Sequence, residues 1–302
     1  MTTILTSVSN VSIGVIGGSG LYSLDNLKVL GEYSPTTPWG KPSDNLIIAE
    51  TNTGIKVAFL ARHGRGHYLT PTEVPSRANI AALKHIGVKV ILAFSAVGSL
   101  REEIAPRDFI LPTQIIDRTK GVRPFTFYED GIVGHVMFAD PFSSDIADII
   151  YDVQKDLNGP KFHRNKTLIC MEGPQFSTRA ESHMYRSWGA DIINMSVLPE
   201  AKLAREAEIA YQMVCMSTDY DCWKETEEAV SVEAVIANLT GNADFARKLL
   251  GSVIPVLAEK LEKSQVKSVI DLQGSASNSL MTAPGKRNEE TMKKIRYILP
   301  SA

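Results

Sequence analysis

Asp219 and Asp221 stand one residue apart at the end of an apolar run, Met213-Val214-Cys215-Met216, which Ile209, Ala210 and Tyr211 lead into. A short apolar run bounded by polar residues suits a buried strand. In an extended chain, residues two apart share a face. Two carboxyls would then project together from a strand end, the place where open α/β sheets bind ligands. In unlike environments one carboxyl of such a pair holds a proton while the other stays ionised, which equips it as a general acid. The same residues also suit a turn or a helix cap, since Asp bonds readily to nearby backbone.

Other strand ends carry complementary chemistry. Gly17-Gly18-Ser19-Gly20 follows a β-rich run at 12–16. Glycines let backbone N–H groups approach an anion, and Ser19 adds a hydroxyl. No Gly-Lys-Ser/Thr follows and the dinucleotide spacing is incomplete, so a simple tight turn fits as well. Ala61-Arg62-His63-Gly64-Arg65-Gly66-His67 is a cationic loop after a second strand. The planar guanidinium fork suits phosphate, although a solvated surface loop has the same composition. Ser95-Ala96 and Asn194-Met195-Ser196 close two further strands. If these ends converge, hydroxyls, glycine N–H groups and Arg62 make a phosphate subsite, and the carboxylates face a base. No metal-ligand spacing is present. His135 lies alone in an irregular aromatic stretch, where a structural role is the simpler reading.

Alternating strands and helices must position these groups. Strands are expected at 46–50 and 56–60, joined by a turn at 52–54, and at 88–94, 108–112, 167–171, 191–195 and 209–218. Helices are expected at 75–86, 145–157, 199–208 and 289–298. A helical region at 231–263 should be broken by Gly241, Gly251 and Pro255. This pattern gives an α/β three-layer sandwich with a mixed, largely parallel central sheet, in one domain spanning 1–302. Residues 1–10 and 273–287 are expected to be mobile.

Composition bounds the function. The 302 residues are 44% hydrophobic and 22% charged, as in a soluble globular protein, with a formal charge of −2 and no basic block. That argues against nucleic-acid and membrane-surface partners. Three cysteines without a C-x-x-C, Cys170, Cys215 and Cys222, read as reduced thiols. No secretory signal opens the chain, so the expected place is the cytoplasm, with a nuclear pool left open.

Several motifs together resemble the trimeric purine nucleoside phosphorylase family, in its branch acting on 5′-methylthioadenosine. They are Gly17-Gly18-Ser19-Gly20-Leu21, Ala61-Arg62-His63-Gly64-Arg65, Gly98-Ser99-Leu100-Arg101-Glu102-Glu103-Ile104, Glu172-Gly173-Pro174-Gln175-Phe176-Ser177, Asn194-Met195-Ser196 and Thr218-Asp219-Tyr220-Asp221-Cys222-Trp223. The resemblance covers about residues 13–250. It implies that Ser19, Arg62, His63, Ser95, Ala96 and Ser196 hold phosphate, a co-substrate, with no cofactor. Phe176 and Met195 would pack on the nucleoside, and Asp219 and Asp221 would bind the purine edge and carry the catalysis. Ser177 and Val232 match positions tied to substrate choice. His135 matches a residue reaching the neighbouring subunit's site in a homotrimer. Ser19, Ser95 and Ser196 stand where the animal enzymes carry Thr, which keeps the hydroxyl. The implied reaction is phosphorolysis of methylthioadenosine to adenine and 5-methylthioribose 1-phosphate, a step of purine and methionine salvage. A preference for adenosine or a 6-oxopurine nucleoside is the alternative within the class, and a non-catalytic nucleoside-binding module the alternative outside it.

Overall fold

Runs of buried apolar residues build the centre of one sheet. In the computed structural model, which describes residues 3–18, 27–225 and 232–302, β1 is Ile4–Leu5, β2 Ile13–Gly17, β3 Leu27–Tyr33, β4 Leu46–Thr51 and β5 Lys56–Ala61. β6 is Val90–Ser99, β7 Phe109–Asp117, β8 Phe162–Cys170, β9 Ile192–Asn194 and β10 Ala210–Asp219. The helices are α1 Ser76–His85, α2 Ser144–Gln154, α3 Arg179–Ser187, α4 Val197–Glu206, α5 Val232–Glu262, α6 Lys267–Leu272 and α7 Glu289–Ile298. β2 is buried along its whole length and β10 through all but its last residue, as a sheet covered by helices on both faces requires.

The strand order is β1-β3-β4-β5-β2-β6-β10-β7-β8-β9. β2 pairs in parallel with β5 and β6, and β10 in parallel with β6. β4 pairs antiparallel with both β3 and β5, so the sheet is mixed. β9 returns to pair antiparallel with β6 through Gly98–Ile193 and Ser99–Ile192. That pairing closes β6, β10, β7, β8 and β9 into a ring and draws their ends together. One apolar cluster packs α1, α4 and α7 on one face, and a second packs α2, α5 and α6 on the other. These are the three expected layers.

Several elements differ from the sequence reading. β6 and β7 run on to Ser99 and Asp117, beyond the expected ends at 94 and 112, and β8 begins earlier, at Phe162. The extensions are polar stretches held by neighbouring strands, which local hydrophobicity does not reveal. β3 was not anticipated at all. α5 is one helix of 31 residues, not a broken one. Its buried stripe, Ala246, Leu249, Leu250, Val253, Ile254, Leu257 and Ala258, packs along the sheet and outweighs the cost of the breakers. Pro255 falls on the exposed side of the helix, where its ring meets no packed neighbour layer. The 273–287 segment, expected to be mobile, carries two short 3-10 turns and pairs with 133–135 through backbone bonds from Met281 and His135. Among the described residues no helix is long and apolar enough to cross a membrane.

Candidate active site

The ends of β2, β5, β6, β9 and β10 surround one cavity of about 340 Å³. Gly18, Arg62, His63, Ser95, Ala96, Phe176, Ser177, Met195, Ser196, Asp219 and Asp221 all line it. The convergence expected from sequence is therefore present for these residues. Ser19 lies outside the described residues. His135 is exposed and not among the lining residues, and neither is Val232, which opens α5 and is 59% exposed. The apolar wall from α5 consists of Val235, Leu239 and Ala243.

One end of the cavity is a cluster of hydroxyls. Ser95 Oγ and Ser196 Oγ are 2.9 Å apart. Asn194 Nδ2 donates to both, at 3.2 and 3.3 Å. Arg62, 4% exposed, is held rigidly beside them. Its Nε and Nη2 donate to the two oxygens of Glu200 at 2.8 and 2.9 Å, and Nη1 donates to the Phe94 carbonyl at 2.8 Å. Tyr211 Oη donates to the same Glu200 at 2.7 Å. Three of the five guanidinium hydrogens are thereby committed, which leaves two for a ligand. His63 stacks on His67 at 4.3 Å, and its Nδ1 lies 2.8 Å from the Leu69 carbonyl. Burial, helped by the adjacent Arg62 charge, pulls the His63 pKa down to about 4. In the neutral ring Nδ1 carries the proton to Leu69, and Nε2 keeps a lone pair.

The other end holds the carboxyls. Three residues along β6 separate Ser95 from Gly98, roughly 10 Å of extended chain. Gly98 pairs with Asp219 across a bulge in β10. A Cβ at Gly98 would meet Asp219 Oδ1 at 3.0 Å and Ile193 at 3.1 Å, so only a bare backbone leaves this room. Asp219 Oδ1 accepts from the Asp221 backbone N–H at 2.8 Å and Oδ2 from Thr218 Oγ1 at 2.7 Å. The turn-forming and ligand-facing readings of Asp219 thus both hold. Strand alternation does not place the pair, however. The strand stops at Asp219, and Asp221 enters a 3-10 turn with φ of +51°. Its Oδ2 accepts from the buried Ser182 Oγ at 2.5 Å. Burial raises the pKa of both carboxyls above the ordinary range. Just beyond, Trp223 Nε1 donates to the Ser99 carbonyl at 2.8 Å, with the Arg186 guanidinium over its ring.

The loop after β8 supplies the side of the cavity. Gly173, with φ of +65°, passes so close to Met195 that a Cβ there would lie 2.4 Å from its sulfur. Ser177 is buried, its hydroxyl 3.2 Å from Met171 Sδ, while Phe176 is 46% exposed at the rim. Glu200 and Ser182 were not singled out in the sequence. Their partners lie far along the chain (138 residues separate Arg62 from Glu200 and 39 separate Ser182 from Asp221), so only the folded sheet brings them together. Among the described residues no three His, Cys, Asp or Glu side chains gather as a metal site would need.

Several known proteins share this sequence pattern and fold. Residues 12–255 match the family model described as the phosphorylase superfamily. The chain is 55% identical over 301 residues to the S-methyl-5′-thioadenosine phosphorylase of Yarrowia lipolytica, covering 96% of this chain and 92% of that one. It is 52% identical over 299 residues to the protein of the same name from Schizosaccharomyces pombe, covering 96% of each. A crystal structure of a methylthioadenosine phosphorylase from an antarctic soil metagenomic library superposes with a TM-score of 0.88 at 44% identity, over 97% of this chain and 99% of that one. The Schistosoma mansoni methylthioadenosine phosphorylase in complex with adenine gives 0.83 at 32% identity, over 91% and 100%. A match across most of the chain, on a shared fold, places this protein within the phosphorylase superfamily, to which it belongs.

Proposed function

We propose that the protein cleaves S-methyl-5′-thioadenosine with inorganic phosphate, releasing adenine and 5-methylthioribose 1-phosphate. The observation that carries this reading is the single cavity joining the Arg62 and serine cluster to two buried carboxyls across β6. Adenine offers an N7 acceptor and an N6 amino donor. A protonated Asp219 donates to N7, and Asp221 accepts from N6 with the oxygen that Ser182 leaves free. The Thr218 hydroxyl lies 2.7 Å from Asp219 Oδ2 and 3.3 Å from the Val97 carbonyl, but it has one proton. It donates to Asp219 when that group is ionised. When Asp219 is protonated, its one proton goes to N7, while Thr218 donates to the other carboxyl oxygen or turns to Val97, so both protonation states are accommodated.

Protonation at N7 makes the purine a better leaving group, and the ribosyl carbon gains oxocarbenium character. Phosphate, held by Arg62, Ser95, Ser196 and the loop at Gly18, attacks the opposite face. The His63 lone pair suits a protonated phosphate oxygen. Ser19 would add a hydroxyl to this cradle. Met195 and Phe176 pack on the nucleoside, and Val235, Leu239 and Ala243 suit a methylthio group better than a hydroxyl, which would lose its water there. No metal or other cofactor is required. The protein works as a homotrimer, with the segment around His135 extending to a neighbour's site. The test is release of free adenine on mixing with methylthioadenosine. Turnover should need phosphate or arsenate and be insensitive to a chelator. Full-rate hydrolysis in buffer lacking both anions, or inhibition by the chelator, would overturn the reading.

A further inference from the structure

The phosphate end of the cavity does not owe its charge to Arg62. Both Arg62 nitrogens facing Glu200 are within 2.9 Å of its carboxylate, and the pair is buried, so its net charge is zero. Arg123, in the loop after β7, is as buried at 4% exposure but has no carboxylate partner. All four of its Nη hydrogens go to carbonyls. Nη1 donates to Met195 at 2.7 Å and Leu198 at 2.5 Å, and Nη2 to Glu172 at 2.7 Å and Met171 at 3.3 Å. Its Nε has no protein partner among the described residues. The nearby acids neutralise it only in part. Asp117 is bound by Lys202 at 2.5 Å, and the Glu172 side chain is exposed to water.

We propose that Arg123 is a positioning residue that supplies the net positive charge of the phosphate subsite and fixes the two loops bearing Met195, Ser196 and Phe176. The four carbonyls lie just past the ends of β8 and β9, one set before Phe176 and Ser177 and the other flanking Ser196. A single planar fork therefore sets the spacing between the loop that packs on the nucleoside and the hydroxyl that holds the anion. Arg123 does not line the cavity, so it acts through these groups and through its field. Its charge is close enough to contribute to the depression of His63. A guanidinium stays ionised at any working pH, so this charge is permanent.

The inference rests on the phosphorolytic reading, and the experiment separates the two. Wild-type protein is first assayed for phosphate-dependent adenine release; its absence sinks the reading itself. Given that activity, Arg123→Gln and Arg123→Lys are compared by KM for phosphate, KM for the nucleoside and kcat, with thermal unfolding recorded. Removing a buried unit charge near the anion should raise the phosphate KM of Arg123→Gln about tenfold. The nucleoside KM should move less than about threefold. Arg123→Lys should restore most of the phosphate KM while keeping a lowered kcat, since an ammonium has the charge but not the fork. Equal rises in both KM values, or a lysine variant no better than glutamine, would refute the proposal. Should neither variant fold, Asp117→Asn carries the test. Removing that countercharge is expected to lower the phosphate KM about threefold, and an unchanged or raised value refutes it.

Discussion

Asp219 meets two demands that a carboxyl satisfies only in a partly enclosed site. It must close the turn to Asp221, which it does through Oδ1, and it must keep a proton for a leaving group, which burial favours. Asp219→Asn keeps the turn acceptor and loses the proton. It should fold normally and lose about 10²- to 10⁴-fold in kcat on methylthioadenosine, read by adenine release. A near-normal kcat would transfer the acid role to Asp221. The pH dependence has a definite sign. Both carboxyls have raised pKa values, so the native site holds protons that the unfolded chain gives up from about 3.8 upward. As pH rises through the folded values the donor is lost, so kcat/KM should fall on the alkaline side, and these groups' contribution to stability falls with it. The two residues could be picked out in the sequence because their spacing is local. Their raised pKa values and the contact of Thr218 with the Val97 carbonyl could not, since both depend on what the sheet packs around them.

Two elements carry the specificity and the precision of the site. Gly98 in β6 separates β9 from the carboxyl turn at the end of β10. Gly98→Ala would press on Asp219 and Ile193 together, at 3.0 and 3.1 Å. Overpacking of this kind costs about 1–3 kcal/mol, so a lower Tm with a larger loss in kcat than in KM is expected. Unchanged kinetics in a folded variant would show that the turn tolerates displacement. In α5 the resemblance ties Val232 to substrate choice, whereas Val235 and Leu239 line the cavity. Hydroxyl discrimination by an apolar pocket is limited to roughly 10²-fold. Val235→Gln should narrow the preference for methylthioadenosine over adenosine, and Val232→Gln should alter it less; a reversed order returns Val232 to the pocket. The register along the helix has a plain cause. Helical spacing gives a face, but which turn of a long helix reaches the cavity depends on how that helix lies across the sheet.

At the scale of the whole molecule, four of the large apolar residues left exposed lie on one connection. Val122, Phe125, Val133 and Met137 are 48–80% exposed, and all lie between β7 and α2, on either side of Tyr128 and beside His135. Exposed apolar residues on one connection suit a subunit contact. Light scattering should give a mass near three times the 33.1 kDa of the chain, and Met137→Glu should shift the population toward monomer and reduce activity. A fully active monomer would overturn the trimer. The sandwich itself was legible because strands and helices alternate with clear periodicity. The ring closure was not, because it depends on a two-residue pairing between Ser99 and Ile192 and between Gly98 and Ile193, almost a hundred residues apart.

Trp223 also makes the site observable by light. Its indole is tied to Ser99, roofed by Arg186, and lies two residues past Asp221; none of the three tryptophans lines the cavity, but Trp223 follows directly on its carboxyl turn. A purine bound at Asp221 would change the field around this one chromophore out of three. With Trp39 and Trp188 replaced by Phe, adenine titration should shift the remaining emission saturably, giving the base's affinity without turnover. A flat titration, in protein that still releases adenine, would mean that the indole does not sense the base.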